Sequence, residues 1–265
     1  ESYTGLRTPK CRWSNRGTVL TNPQGTYRKS HPLSSVIILG ASKNIVITGA
    51  SRGIGLALVQ WLSDHHHHVW ALSRNIAPIE SLNIPNVNAF SLDISDAESL
   101  QKWVSTSSPE HVDVLINNAG KLINKPFLET TQSDFESVYK VNVFGLANLT
   151  RLLLSKMSTE SHVLNISSMG GINGTSKFPG LAAYSSSKGA VSILTELLAE
   201  EFKQSGPSVN ALALGAVQTE MLSEAFPGLD VPMDAKTMAA YIAKFALTGH
   251  QFYNGKVLPV SNTTP

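Results

Sequence analysis

From Asn44 onward, short runs of apolar residues alternate with longer segments in which apolar positions recur every three or four residues. Apolar runs bounded by turn residues predict strands, and the periodic segments between them predict helices. Strict alternation of the two is typical of a parallel sheet, because a parallel crossover needs a long connection that is usually helical. The pattern therefore predicts a single-domain, doubly wound parallel α/β sheet of about seven strands with helices on both faces.

The pattern also gives approximate boundaries. Predicted strands are Ile45–Thr48, His68–Ser73, Asn88–Leu92, Val112–Asn117, His162–Ser167, Ser208–Leu214 and Lys256–Val260. Predicted helices are Ile54–Ser63, Ala97–Ser105, Thr131–Met157, Ala183–Gln204 and Ala235–Leu247. Because no repeat or linker interrupts this order, we expect residues 44–265 to form one domain.

Residues 1–43 show neither the helical nor the strand pattern of apolar positions. They carry seven basic side chains and one acidic side chain, whereas the rest of the chain has 14 basic and 18 acidic side chains. We expect residues 1–43 to form a basic, disordered extension, although their composition also fits an organelle import peptide. Since the body is mildly acidic, it offers no positive surface for nucleic acid.

Composition narrows the class of protein further. The chain has 265 residues, 42% of them hydrophobic, and its single cysteine, Cys11, excludes an intrachain disulfide. This fits a reducing compartment, and we expect a cytoplasmic protein. No apolar run approaches the roughly 18 residues of a membrane span, so we expect no contact with membranes. The adjacent imidazoles of His65–His68 cannot all face one ion, and we expect no metal site.

A glycine-rich turn, Thr48–Gly55, follows the first predicted strand and leads directly into a helix. Glycine lets the backbone turn tightly and approach a ligand, and the helix N-terminus presents free N–H groups and a positive dipole to phosphates. The strand, turn and helix together indicate a dinucleotide site, although a glycine-rich turn alone is a weak signal.

The spacing G-x-x-x-G-x-G, with Asn117-Asn118-Ala119-Gly120 and Tyr184-x-x-x-Lys188, resembles the short-chain dehydrogenase/reductase family from Asn44 to about Val260. The resemblance implies NAD(H) or NADP(H) at the carboxyl edge of the sheet. Asp93 would accept from the adenine; it could instead cap the next helix, but Ser95 and Asp96 lie closer to that helix. The implied cofactor-binding residues are Gly49, Ser51, Arg52, Gly53, Ile54, Gly55, Asp93, Ile94, Asn118, Ala119, Gly120, Tyr184, Lys188, Val217 and Thr219.

Four residues are candidates for catalysis. Tyr184 and Lys188 are four apart in a predicted helix and share a face, so we expect the ammonium to lower the pKa of the phenol. By resemblance, Ser168 holds the substrate oxygen, with Ser167 as the competing candidate. Asn142 matches the family residue that anchors a water relaying protons through Lys188.

The type of cofactor depends on the end of the second strand. In dinucleotide folds an acid there bonds the ribose 2′-hydroxyl and selects NAD, but this chain has Ser73 and Arg74 instead. With Arg52 from the glycine turn, these side chains would suit a 2′-phosphate. We therefore predict NADP(H), with NAD(H) as the less favoured cofactor.

The substrate-binding segments depart from the family. The 16-residue gap from Ser168 to Tyr184 predicts a small insertion around residues 175–180. The apolar segment from Leu222 to Met233 predicts a lid over a small hydrophobic substrate, although an apolar loop can also simply pack on the core. Leu214 stands where the family usually has proline. Because leucine does not fix the backbone angle as proline does, we expect the following loop to be less rigid.

These features predict an NADP(H)-dependent oxidoreductase that interconverts a ketone or aldehyde and an alcohol by hydride transfer, with a tyrosine acid/base. The alternative is a catalytically idle NADP(H)-binding sensor or assembly subunit. Apolar residues on more than one face of the helices Thr131–Met157 and Ala183–Gln204 predict a homodimer or homotetramer.

Overall fold

The computed structural model describes residues 41–261, so most of the predicted N-terminal extension lies outside the described residues. The predicted α/β fold is confirmed: seven parallel strands form one sheet in the order β3-β2-β1-β4-β5-β6-β7. The strands are β1 Asn44–Thr48, β2 His68–Ser73, β3 Val87–Ser91, β4 Val114–Asn117, β5 His162–Ser168, β6 Ser208–Leu214 and β7 Val257–Val260.

Within residues 41–261, eight α-helices connect the strands, and the two short ones, α2 and α7, were not predicted. The helices are α1 Gly53–Asp64, α2 Ala77–Glu80, α3 Ala97–Thr106, α4 Gln132–Tyr139, α5 Leu146–Leu153, α6 Ala182–Glu201, α7 Glu220–Ala225 and α8 Ala235–Thr248. Short 3₁₀ turns cover Phe127–Glu129, Leu154–Lys156, Met169–Gly171 and Gly249–Gln251.

Alternation along the central strands divides the core into two layers. Ile45 and Ile47 of β1 pack with α1 and α8 on one face of the sheet, whereas Val46 packs with α3, α5 and α6 on the other. Successive side chains of a strand point to opposite faces, so a strand covered on both sides is apolar throughout. Such strands read as continuous apolar runs in the sequence.

The helix predicted for Thr131–Met157 is present as continuous helical backbone from Gln132 to Lys156, but it is not one regular α-helix. Between α4 and α5 the chain forms a π-helical turn over Lys140–Gly145. Gly145 allows this turn to lie against the backbone after β3, because a Cβ on Gly145 would be only 2.6 Å from the carbonyl oxygen of Ile94. π turns inside helices occur frequently at functional sites, and this one contains Asn142.

The folded unit extends slightly N-terminal to the predicted boundary at residue 44. The Ser42 hydroxyl donates to the carbonyl of His66 at 2.8 Å, and the Lys43 ammonium lies 3.1 Å from a carboxylate oxygen of Asp113. Within residues 41–261, no three potential metal ligands converge on one point. No helix in this part of the chain is long and apolar enough to cross a membrane.

The direction in which strands are added to the sheet reverses after β3. Strands β2 and β3 lie on one side of β1, and β4 lies on its other side. The loops that leave β1 and β4 therefore diverge and open a crevice at the carboxyl edge of the sheet. In open α/β sheets ligands bind at this switch point. The glycine turn and Asn118–Gly120 both lie there.

Candidate active site

Side-chain hydrogen bonds join the ends of β1 and β4 at the crevice. The Thr48 hydroxyl oxygen accepts from the backbone N–H groups of Asn118, at 3.1 Å, and Ala119, at 3.0 Å. The Asn118 amide donates to the carbonyls of Thr48 and Gly49 at 3.0 and 3.1 Å. These bonds satisfy backbone groups that have lost their sheet partners. Thr48 was not predicted, although its position at the strand end is visible in the sequence.

The glycine turn brings backbone segments too close together for side chains. Gly49 has φ of +66°, and a Cβ on Gly55 would lie 2.0 Å from the Gly49 carbonyl oxygen. A Cβ on Gly120 would instead meet only Asn142 Oδ1 and Lys188 Nζ, each at 3.7 Å, so space remains beside the lysine. A backbone free of side chains at a helix N-terminus, with an ammonium nearby, fits a dinucleotide.

Helix α6 carries Tyr184 and Lys188 on one face, as predicted. Lys188 Nζ lies 5.8 Å from the Tyr184 ring centroid and donates to the carbonyl of Ile166 at 2.7 Å. The lysine is only 4% exposed, and this burial lowers its pKa to about 8. Burial has this effect because it disfavours the charged ammonium.

The pKa of Tyr184 moves in the opposite direction to our expectation. Desolvation by the surrounding protein raises it to about 12, and a hydrogen bond with Ser168 offsets part of the rise. An ammonium 5.8 Å from the ring does not overcome the cost of burying a phenolate. At neutral pH the phenol therefore holds its proton and can donate it.

The structure separates the two candidate serines by burial. Ser167 is 2% exposed, and its hydroxyl donates to the carbonyl of Lys188 at 3.0 Å and contacts the Ser192 hydroxyl at 3.1 Å, so it packs the sheet against α6. Ser168 lies at the end of β5, close enough to Tyr184 for its hydroxyl to influence the pKa of the phenol. Of the two, only Ser168 faces the phenol.

Asn142 connects the π turn to helix α6. Its side chain accepts from the Lys121 N–H at 2.7 Å and donates to the Lys121 carbonyl at 3.0 Å. It also donates to the Ser187 hydroxyl at 2.9 Å, which in turn donates to the Tyr184 carbonyl at 2.6 Å. Ser187 was not predicted; its signal was its place between Tyr184 and Lys188.

Two of the residues predicted to bind the adenosine end of the cofactor contact each other. The Ser73 hydroxyl donates to the Ser51 hydroxyl at 2.8 Å. Burial alone would raise the pKa of Asp93, but hydrogen bonds from Ser95 and the charges of Arg74 and Lys140 lower it overall. Helix α3 is capped by Asp96, as expected, rather than by Asp93.

The Arg52 guanidinium, predicted to bind a phosphate, is paired with a carboxylate in this structure. It forms a bidentate ion pair with Glu224 of helix α7, in which Nη2 and Oε2 are 3.2 Å apart. Thr219, expected to contact the nicotinamide, caps this helix by accepting from the Leu222 N–H, and Val217 just before it is buried. Glu224 was not predicted, since 172 residues separate it from Arg52.

Asn124 and Lys125 connect the loop after β4 to the end of α7 and to the predicted insertion. The Asn124 amide donates to the carbonyl of Ala225 at 2.8 Å, and the Lys125 N–H donates to the carbonyl of Gly180 at 2.9 Å. The predicted lid leaves and rejoins the domain at one point, because the Gln218 N–H donates to the Met233 carbonyl at 2.8 Å. The insertion and the lid are therefore held to the same loop, and we expect this loop to border the substrate entrance.

Leu214, which replaces the usual proline of the family, lies within the sheet. It pairs with Ser168 of β5 on one side and with Val260 of β7 on the other. The Gly215 N–H then donates to the Val260 carbonyl at 2.9 Å. Strand pairing thus holds the start of this loop without proline.

Comparisons with known proteins agree with this geometry. A family model described as short chain dehydrogenase matches residues 43–230. L-xylulose reductase of Mesocricetus auratus is 31% identical over 186 residues, which cover 68% of this chain and 74% of the relative. Carbonyl reductase [NADPH] 2 of Sus scrofa is 32% identical over 181 residues, covering 66% and 72%.

Solved structures show the same fold with either cofactor. A 4-hydroxyisoleucine dehydrogenase complexed with NADH superposes with a TM-score of 0.73 at 26% identity, over 83% of this chain and 97% of its own. ElxO with NADP bound gives 0.71 at 27% identity, over the same shares.

We predict that Tyr184 stays protonated well above the usual range of tyrosine in the cofactor-free protein. Ultraviolet titration of the folded protein and Tyr184→Phe should give the same number of ionising phenols up to about pH 11, because burial holds this pKa near 12. If the variant lost one phenol that ionises near pH 10, the desolvation argument would be wrong.

Proposed function

Because the chain belongs to the short-chain dehydrogenase family, we propose that it is an NADP(H)-dependent oxidoreductase that interconverts a ketone or aldehyde and an alcohol, with Tyr184 as acid and base. Carbonyl–alcohol oxidoreduction follows from the family together with the reductases the chain is similar to. The observation that supports Tyr184 as acid and base is the meeting of Ser168, Tyr184 and Lys188 at the carboxyl edge of the sheet.

In this proposal Ser168 and Tyr184 both hydrogen-bond the carbonyl oxygen of the substrate. A reduced nicotinamide held at this edge of the sheet would provide the hydride chemistry. Negative charge that develops on the oxygen is stabilised by the two hydroxyls, and Tyr184 transfers its proton to give the alcohol. Its high pKa in the free protein favours the neutral donor that reduction requires.

Lys188 and Asn142 support this proton transfer. The Lys188 ammonium lies beside the space over Gly120, where it can bond the nicotinamide ribose and favour the phenolate left on Tyr184. Asn142 holds the π turn against Lys121 and Ser187, which fixes the backbone around the lysine. A binding protein without catalysis would not need this combination.

We expect Tyr184→Phe to lose at least 99% of carbonyl-reduction turnover while its NADPH affinity stays within a few-fold, because the change removes only the transferable proton. Turnover with a panel of ketones and aldehydes and fluorescence titration of NADPH measure the two effects. Wild-type turnover in the variant would disprove the role of Tyr184, and a wild-type protein that binds NADPH but reduces nothing would favour the sensor.

Support for NADP(H) comes from the end of β2. The strand ends in Ser73 and Arg74 rather than in a carboxylate, and the Ser73 hydroxyl donates to that of Ser51. Charge-assisted bonds to a 2′-phosphate are stronger than neutral ones. The name of the porcine carbonyl reductase and the NADP bound to ElxO agree with this choice, while the NADH complex shows that the fold accepts either.

Replacing Ser73 by Asp and Arg74 by Gln should lower the ratio of kcat/KM for NADPH to that for NADH at least about tenfold, because a carboxylate repels the phosphate and bonds the ribose hydroxyls. Steady-state kinetics with both cofactors measures the ratio, and Arg74→Gln alone separates the two contributions. An unmodified protein that uses NADH as efficiently as NADPH would contradict the proposal.

A homodimer or homotetramer is supported by an apolar surface on helix α6 and the π turn. Ile193 and Leu197 are 59% and 61% exposed, and Phe144 is 61% exposed. By contrast, Leu149 and Leu153 of helix α5, which follows the π turn, are fully buried inside the domain. Apolar residues left exposed along a helix that is already packed on one side favour contact with a second copy.

Light scattering should give a mass of two or four times 28.5 kDa for the wild type, and Ile193→Glu with Leu197→Glu should shift it toward the monomer. Leu229→Glu, which changes an exposed apolar residue of the lid, is the control and should not alter the mass. A monomeric wild type at micromolar concentration would rule the oligomer out.

A further inference from the structure

Helix α7 presents two carboxylates to the glycine turn. Glu220 and Glu224 are four residues apart and share a face of the helix. Glu224 forms the bidentate ion pair with Arg52. Glu220 Oε2 lies 3.3 Å from the position that a Cβ on Gly53 would occupy. The acidic face of the lid helix therefore lies against a turn whose chemistry suits phosphate.

One guanidinium cannot pair in bidentate fashion with Glu224 and bind a phosphate with the same N–H groups. The side chains of Arg52 and Glu224 are 48% and 61% exposed. An exposed ion pair has a small net free energy, so a doubly charged phosphate can displace the carboxylate. A cofactor without that phosphate leaves the pair intact.

We propose that Glu224 competes with the 2′-phosphate of the cofactor for Arg52 and so limits how strongly the protein prefers NADPH to NADH. The inference rests on the proposed NADP(H) site and adds a residue that sets its selectivity. Binding of NADPH costs the Arg52–Glu224 pair, whereas binding of NADH does not. Glu224 therefore weakens the binding of NADPH and leaves the binding of NADH unchanged.

The competition also reaches the substrate entrance, because α7 belongs to the lid. The lid rejoins the domain at Gln218 and Met233, and beyond these the helix is held on one side by Arg52 and at its end by Asn124. Loss of the Arg52 contact on NADPH binding leaves the Asn124 contact in place. The lid then keeps its hydrogen bond with Asn124 and loses its ion pair with Arg52.

The test is equilibrium binding of NADPH and of NADH to the cofactor-free full chain, followed by cofactor fluorescence, so that no turnover is needed. Glu224→Gln keeps the size of the side chain and removes its charge. Arg52→Ala and the double variant complete a double-mutant cycle. Asp230→Asn removes an equal charge from an exposed position of the same lid segment and is the matched control.

We expect Glu224→Gln to bind NADPH about two- to fivefold more tightly, the range of an exposed ion pair, with NADH nearly unchanged. In the Arg52→Ala background the same change should have no effect. The gain should shrink at high salt, because both the pair and the phosphate contact are screened. Asp230→Asn should leave both dissociation constants unchanged.

Three results would overturn the inference. If Arg52→Ala weakens NADPH binding selectively while Glu224→Gln changes nothing, the phosphate site stands and the competition is wrong. If Glu224→Gln tightens NADPH and NADH equally, the effect is one of overall charge. If Arg52→Ala leaves the ratio of NADPH to NADH affinity unchanged, Arg52 does not bind the phosphate, and this part of the proposed function fails together with the competition.

Discussion

The close junction between the end of strand β1 and the loop after β4 is the constraint on which the site depends. At this point the chain order reverses, so the backbone groups beyond both strands lose their neighbours in the sheet. Thr48 and Asn118 replace those lost partners with four hydrogen bonds. The junction is so tight that Gly55 admits no side chain, and the space it leaves at the N-terminus of α1 is the one a dinucleotide needs.

A buried ammonium is the second constraint, and it is costly. Lys188 is almost fully enclosed, with the carbonyl of Ile166 as its acceptor and no carboxylate among its hydrogen-bond partners in the described part of the chain. Burial of an unpaired charge lowers stability, and the lowered pKa expresses the same cost. Functional sites commonly retain such groups because their chemistry requires them. The polar contacts of Asn142 and Ser187 fix the surrounding backbone.

The site combines a rigid base with an adjustable entrance. The base consists of buried strand ends and helix α6, joined by the hydrogen bonds of Ser167 and Lys188 inside the domain. The entrance consists of loops held by single hydrogen bonds and one exposed ion pair, such as those of Asn124 and Arg52. Contacts of this kind exchange readily with solvent or ligand, because each contributes little free energy. In the proposed function the chemistry takes place on the base, and the choice between ligands is made by the entrance.

The sequence by itself determined the alternating α/β order, six of the seven strands to within about one residue at each end, the glycine turn and the helical pairing of Tyr184 with Lys188. These features are local, because strand and helix periodicities and short motifs lie within a few residues of each other. Only the tertiary structure decided that Ser168 rather than Ser167 faces the phenol, that a π turn interrupts one helix, that burial raises the pKa of Tyr184, and that Arg52 pairs with Glu224. Each of these depends on groups brought together from distant parts of the chain, and on the solvent that their packing excludes, which no local pattern records.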